Sequence, residues 1–146
     1  MGKDNGRMDC LVVTNNHMTK TLVEKNAHIK LVFLEETVQG VLNYCQKLFE
    51  NGGFKLAADP MGGRRARPFP YLTVILQETG RETPIKDWER IMQYTLLDEK
   101  RKETYMGYDE AMRADFEVLD CSLTKSALKI EISEIKRIRI DQKIGI

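Results

Sequence analysis

The sequence predicts a single α/β layered domain, a small sheet of about four strands, mostly parallel or mixed, flanked by helices. Two short apolar runs, Cys10-Leu11-Val12-Val13 and Leu31-Val32-Phe33-Leu34, read as buried strands. Between and after them apolar residues return at helical spacing, as in Val38, Val41, Leu42, Cys45, Leu48 and Phe49. The 146 residues fit one domain, and no stretch reads as a linker to a second.

The elements follow in order. Asp9 to Thr14 is the first strand. It ends in Thr14-Asn15-Asn16, turn and helix-cap residue types, and a short helix from His17 to about Lys25 follows. Ile29 to Leu34 is the second strand; with a helical crossover between them, the first two strands are parallel. Glu35-Glu36-Thr37 caps the next helix, and Asn51-Gly52-Gly53 stops it. Phe54 to Ala58 and Tyr71 to Gln77 are the third and fourth strands, joined by a loop that allows a wide hairpin. From Ile85 a helix is expected with Trp88, Ile91, Met92, Thr95 and Leu96 on its buried face. Asp87 or Thr83 would cap it, and Asp98 to Glu103 would form its solvated end. Tyr108 to Leu119 is a further helix, after which Asp120-Cys121-Ser122-Leu123-Thr124 reads as a turn or another cap. The final segment alternates isoleucine with polar residues at Ile130/Ile132 and Ile138/Ile140, and β-branching favours strand there, although Ile132, Ile135 and Ile138 also fit a helix. Residues 1–8 are expected to be a flexible tail and 129–146 an isoleucine-rich extension.

Composition excludes several function classes. Hydrophobic residues are 42% and charged residues 31%, a globular mixture. Lys and Arg number 23 against 22 Asp and Glu, so the basic excess of a general nucleic-acid binder is missing. No apolar run approaches the ~20 residues of a membrane helix. The polar start Met1 to Arg7 lacks a secretory apolar core, and the three cysteines form no Cys-x-x-Cys pair, so the expected setting is the cytoplasm. Two histidines without ligand spacing give no metal site, and no cofactor is expected. Cys121 is either a buried structural cysteine or a reactive thiol at a helix start.

The loop Asp59-Pro60-Met61-Gly62-Gly63-Arg64-Arg65-Ala66-Arg67-Pro68-Phe69-Pro70, running into Tyr71, carries the strongest chemical signal. Gly62 and Gly63 let backbone approach a ligand closely. Arg64, Arg65 and Arg67 offer permanently charged planar donors suited to carboxylate or phosphate. The prolines stiffen the segment and reduce the entropy lost on binding. The bland reading is a solvated loop whose arginines pair with surface acids. Thr14, Asn15 and Asn16, where a strand end meets a helix start, offer a second anion-friendly element or simply a helix cap. If the fourth strand lies beside the first, both segments face one cleft. The candidate ligand-binding residues are therefore Thr14, Asn15, Asn16, Asp59, Gly62, Gly63, Arg64, Arg65, Arg67 and Tyr71. No catalytic residue is assigned.

Three segments in order resemble the GrdX family. They are Val13-Thr14-Asn15-Asn16; the stretch Leu56 to Val74, with Pro60-x-x-Gly63 before Pro68-x-Pro70-Tyr71-x-Thr73-Val74; and Asp115-Phe116-Glu117-Val118-Leu119-Asp120-x-Ser122-Leu123 with Ser126-Ala127-Leu128. The resemblance implies a small protein encoded beside the components of glycine, sarcosine and betaine reductase in amino-acid-fermenting anaerobes. Two departures stand out: the family's turn is less arginine-rich than Arg64-Arg65-Ala66-Arg67, and the isoleucine-rich tail after Leu128 lies outside the shared region. The resulting expectation is a non-catalytic accessory or regulatory protein that binds an anionic small molecule, a glycine reductase component, or both. The alternative is a small enzyme acting on a phosphorylated or carboxylated metabolite. Nucleic-acid and membrane partners are not expected. The tail is either an extension or an edge that forms a homodimer.

Overall fold

The computed structural model describes residues 9–144, with side chains as far as Lys129. The expected tail at residues 1–8 lies outside the described residues. Four strands, β1 (Cys10–Thr14), β2 (Ile29–Phe33), β3 (Phe54–Leu56) and β4 (Thr73–Glu78), form one open sheet in the order β2-β1-β4-β3. Strand β1 pairs parallel with β2 and antiparallel with β4, which pairs antiparallel with β3. The sheet is therefore mixed, and β4 does lie beside β1. Strands β3 and β4 are shorter or shifted relative to the sequence reading, because Ala57 to Leu72 belongs to the arginine-rich connection.

Side-chain alternation divides the core. Leu11 and Val13 of β1 stand with Val74 and Leu76 of β4 on one face. Helices α2 (Val38–Asn51) and α3 (Ile85–Met106) cover that face with Val41, Leu42, Cys45, Phe49, Ile91 and Tyr94. Cys10, Val12 and Ile75 point the other way, toward Val23 of α1 (His17–Glu24) and Leu128 of α4 (Glu110–Ile144). The result is a sheet between two helical layers.

Local chemistry explains most boundaries. Asn16 caps α1, its side-chain oxygen accepting from the Met18 N–H at 2.9 Å. Thr37 caps α2 by accepting from the Gly40 N–H, and Gly52 at φ +77° ends it. Three expectations fail in α3. Neither Thr83 nor Asp87 caps it: the Thr83 hydroxyl donates to the Phe54 carbonyl, and the Asp87 carboxylate accepts from the Leu56 N–H, so both fasten β3. Of the expected face, Ile91 is buried and Trp88 packs against the core, but Met92 and Leu96 are exposed, because the buried face continues through Tyr94, Asp98 and Tyr105, which follow the 3.6-residue period more closely. Asp98 is not a solvated end. It is buried and accepts from Gln39 Nε2 at 2.9 Å and Tyr105 Oη at 2.8 Å.

Helix α4 departs furthest from expectation. The backbone continues unbroken from Glu110 to Ile144, with no turn at Asp120 and no strand among the described residues of the isoleucine-rich segment. No glycine or proline interrupts those 35 residues. Isoleucine's preference for strands depends on a partner strand, and the glutamates, lysines and arginines between the isoleucines are good helix formers. An edge strand for pairing is therefore not formed here.

Buried acids give the fold an alkaline limit. Burial pushes the Cys45 thiol from 9.0 up to about 12 and the Tyr94 phenol from 10.0 up to about 12, and it raises Tyr105 further. Between pH 9 and 12 the unfolded chain releases these protons while the native state retains them. The contribution of these groups to stability is complete below pH 9 and is lost as pH rises, at Cys45 from pH 9 and at the two tyrosines from pH 10. Urea midpoints measured from pH 8 to 11 should decline, and Cys45→Ala with Tyr94→Phe should flatten the decline. Equal slopes in wild type and the double variant would contradict this account.

Candidate functional site

The loop between β3 and β4 is organised around one buried ion pair. Arg64 is 5% exposed and Asp120, from the middle of α4, is 0% exposed. The Arg64 Nε and Nη2 groups both donate to Asp120 Oδ1, Nε at 3.2 Å. Its Nη1 donates to the carbonyls of Pro60 and Gly62, each at 3.3 Å. The guanidinium thus closes its own turn and ties it to α4. A buried charge needs this full set of partners.

The other oxygen of Asp120 collects the strand ends. Asp120 Oδ2 accepts from Thr73 Oγ1 at 2.7 Å, Asn16 Nδ2 at 2.8 Å and Thr19 Oγ1 at 3.3 Å. Since Thr73 spends its proton on Asp120, the 2.8 Å contact between Thr14 and Thr73 must have Thr14 Oγ1 as donor. Thr14 Oγ1 in turn accepts from the Asn16 N–H at 3.0 Å. Asn15 serves a neighbouring junction: its Oδ1 accepts from the Leu72 N–H, and its Nδ2 donates to the carbonyls of Glu36 and Pro70. The cluster therefore links β1, β4, α1, α4 and the loop.

Aromatic contacts clip down the second half of the loop. Phe69 meets Phe116 edge-on at 4.7 Å, and Tyr108 stacks on Phe116 at 5.0 Å while donating its hydroxyl to the Pro68 carbonyl. Gly63 sits at φ +78°, where a Cβ would fall 2.6 Å from a Leu123 methyl, so the turn needs glycine.

The ten residues singled out in the sequence separate into distinct groups. Asn16 and Arg64 bond Asp120 directly, and Thr14 reaches it through Thr73. Asn15 secures the loop's exit, and exposed Gly62 and Gly63 form the turn. Asp59 lies on the outer side, its Oδ2 accepting from Arg65 Nη2 at 3.3 Å and from Arg90 Nη1 at 3.1 Å. Arg67 is exposed and lies over the Phe116 ring at 5.7 Å. Tyr71 is half-buried, and burial followed by the charge of Glu117 raises its phenol. A cavity of about 210 Å³ opens beside Arg64, bounded by Asp59, Gly62, Thr73, Leu123 and Thr124.

Asp120 is the residue that sequence reasoning missed. A signal was present: Phe116, Asp120, Thr124 and Leu128 recur at four-residue intervals, and all four are buried. A carboxylate on such a stripe requires a cation, and Arg64 is that cation. Thr73, Thr19 and Arg90 were also overlooked. Cys121 lies within α4 rather than at a helix start, and burial raises its thiol, the opposite of nucleophile activation. His17 opens α1 beside Glu35. Among the described residues no group of three or more His, Cys, Asp or Glu is arranged to hold a metal, and no helix is long and apolar enough to cross a membrane.

A family model described as GrdX-like protein matches residues 11–129, from β1 into α4. The chain belongs to the GrdX-like family. The matched span contains the entire Arg64–Asp120 cluster, so this cluster is part of the GrdX-like domain. Neither the curated proteins nor the solved structures include a match to the chain.

Proposed function

We propose that this GrdX-like protein is a non-catalytic accessory or regulatory component of the glycine, sarcosine and betaine reductase system. In this reading it binds an anionic metabolite or a reductase component through the loop at residues 59–71. The observation that carries the proposal is the division of labour among the arginines. Arg64 is consumed inside the fold, while Arg65, beside Asp59, and Arg67, over the Phe116 ring, stand exposed. A loop pinned by a buried ion pair and clipped by aromatic rings loses little entropy on binding. Its two outward guanidiniums are suited to carboxylate or phosphate.

Thermal shift tests this reading, with phosphate, sulfate, acetyl phosphate and simple carboxylates as the panel. A native-state ligand at about 100 times its Kd adds ~2.7 kcal/mol, several degrees for a domain of this size. The Arg65→Ala/Arg67→Ala variant should keep the wild-type midpoint without ligand and lose the shift. Retention of both the anion shift and reductase-component capture by this variant would refute the proposal.

A further inference from the structure

We propose that the cavity between the Asp59 turn and the start of α3 is a phosphoryl-binding site in which Asp59 acts as a resident, displaceable anion. This rests on the reading of the arginine loop as anion-binding, and it assigns the anion's class and position. The cavity measures about 290 Å³ and is bounded by Leu56, Ala58, Asp59, Lys86, Asp87 and Arg90. That volume holds a phosphoryl group with a short organic body.

Its charges are arranged for an anion that is already there. One oxygen, Asp59 Oδ2, accepts from both the Arg65 and Arg90 guanidiniums, at 3.3 and 3.1 Å. Both bonds are long for charged partners, and all three side chains are substantially exposed, so water and salt weaken them. Asp59 also has another tie: its Oδ1 accepts from the Met61 N–H at 3.0 Å, which holds the turn independently of the arginines. Lys86 lies one helical turn before Arg90, on the same side of α3, and makes no ion pair among the described residues. The second acid of the lining, Asp87, is engaged by the Leu56 N–H at 2.9 Å.

The resident carboxylate selects the ligand class. A free carboxylate brings the same single charge as Asp59 without the advantage of being tethered, so it displaces Asp59 poorly. A phosphoryl dianion brings more charge and three acceptor oxygens, enough for Arg65, Arg90 and Lys86 together.

Calorimetric titration of the full chain with inorganic phosphate at pH 8 tests the site, with acetate as the carboxylate control. Asp59→Asn keeps the Oδ1 acceptor of the turn but removes the competing charge, and it should tighten phosphate binding about tenfold. Lys86→Ala/Arg90→Ala should weaken it at least tenfold at an unchanged melting temperature, and acetate should bind at least tenfold more weakly than phosphate. Unchanged or weaker phosphate binding by Asp59→Asn, or unchanged binding by Lys86→Ala/Arg90→Ala, overturns the assignment. If affinity is lost only on Arg67→Ala, the loop reading stands and this site falls. If neither wild type nor Asp59→Asn binds phosphate, the site falls. The loop reading falls with it if no other anion and no reductase component is bound.

Discussion

Asp120→Ala should destabilise the protein by about 3–5 kcal/mol, the cost of leaving a buried charge without its partner. The substitution strands the Arg64 guanidinium inside the fold and removes the acceptor for Thr73, Asn16 and Thr19. For a domain of this size the melting temperature should fall by roughly 10–15 °C. The paired replacement Arg64→Met/Asp120→Leu should be less damaging than Asp120→Ala alone, because it removes both charges together. Some loss should remain, since Thr73 and Thr19 would still lack an acceptor. Urea unfolding of the three proteins measures these differences. An Asp120→Ala variant within 1 kcal/mol of wild type would mean that the ion pair does not hold the loop.

A comparable loss is expected from Leu76→Ala. Leu76 is fully buried on β4, paired with Leu11 of β1 and Leu56 of β3 under the α2 and α3 layer. Truncation removes transfer energy and leaves a cavity in the sheet's centre, costing about 2–5 kcal/mol. Leu96→Ala is the matched comparison. The sequence pattern places Leu96 on the buried face of α3, but in the structure it is 58% exposed. Its truncation should therefore stay within about 0.5 kcal/mol of wild type. Equal losses at Leu76 and Leu96 would mean that α3 presents a different face to the core.

The contrast at α3 illustrates what was legible in the sequence. Strands β1 and β4 announce themselves as continuous apolar runs because both lie inside the sheet and are covered on both faces. The caps at Asn16 and Thr37 and the stop at Gly52 follow from residue types alone. Helix α4 was harder. Asp120, Ser122 and Thr124 are cap and turn residue types, yet each position is helical. Thr124 fits because its hydroxyl donates to the Asp120 carbonyl one turn back, at 2.9 Å. Asp120 is there for a partner 56 residues away, a relation that no local pattern encodes.

The candidate site was legible in outline only. Its arginine loop stands out by composition, and β4 does bring it beside Thr14 and Asn16. Which arginine turns inward depends on the depth of α4 behind the loop. Three arginines in four positions look equivalent in sequence, but burial and Asp120 separate Arg64 from Arg65 and Arg67.

Arg64 thus holds the fold while Arg65 and Arg67 are left to face the proposed ligand, and a paired measurement separates the two roles. Unfolding free energy and anion affinity per folded molecule are measured together for Asp120→Ala and for Arg65→Ala/Arg67→Ala. A large stability loss is expected in the first variant. Wild-type stability with loss of anion binding is expected in the second. An Arg65→Ala/Arg67→Ala protein that is strongly destabilised, or that keeps both anion binding and reductase-component capture at wild-type level, would contradict this division of roles.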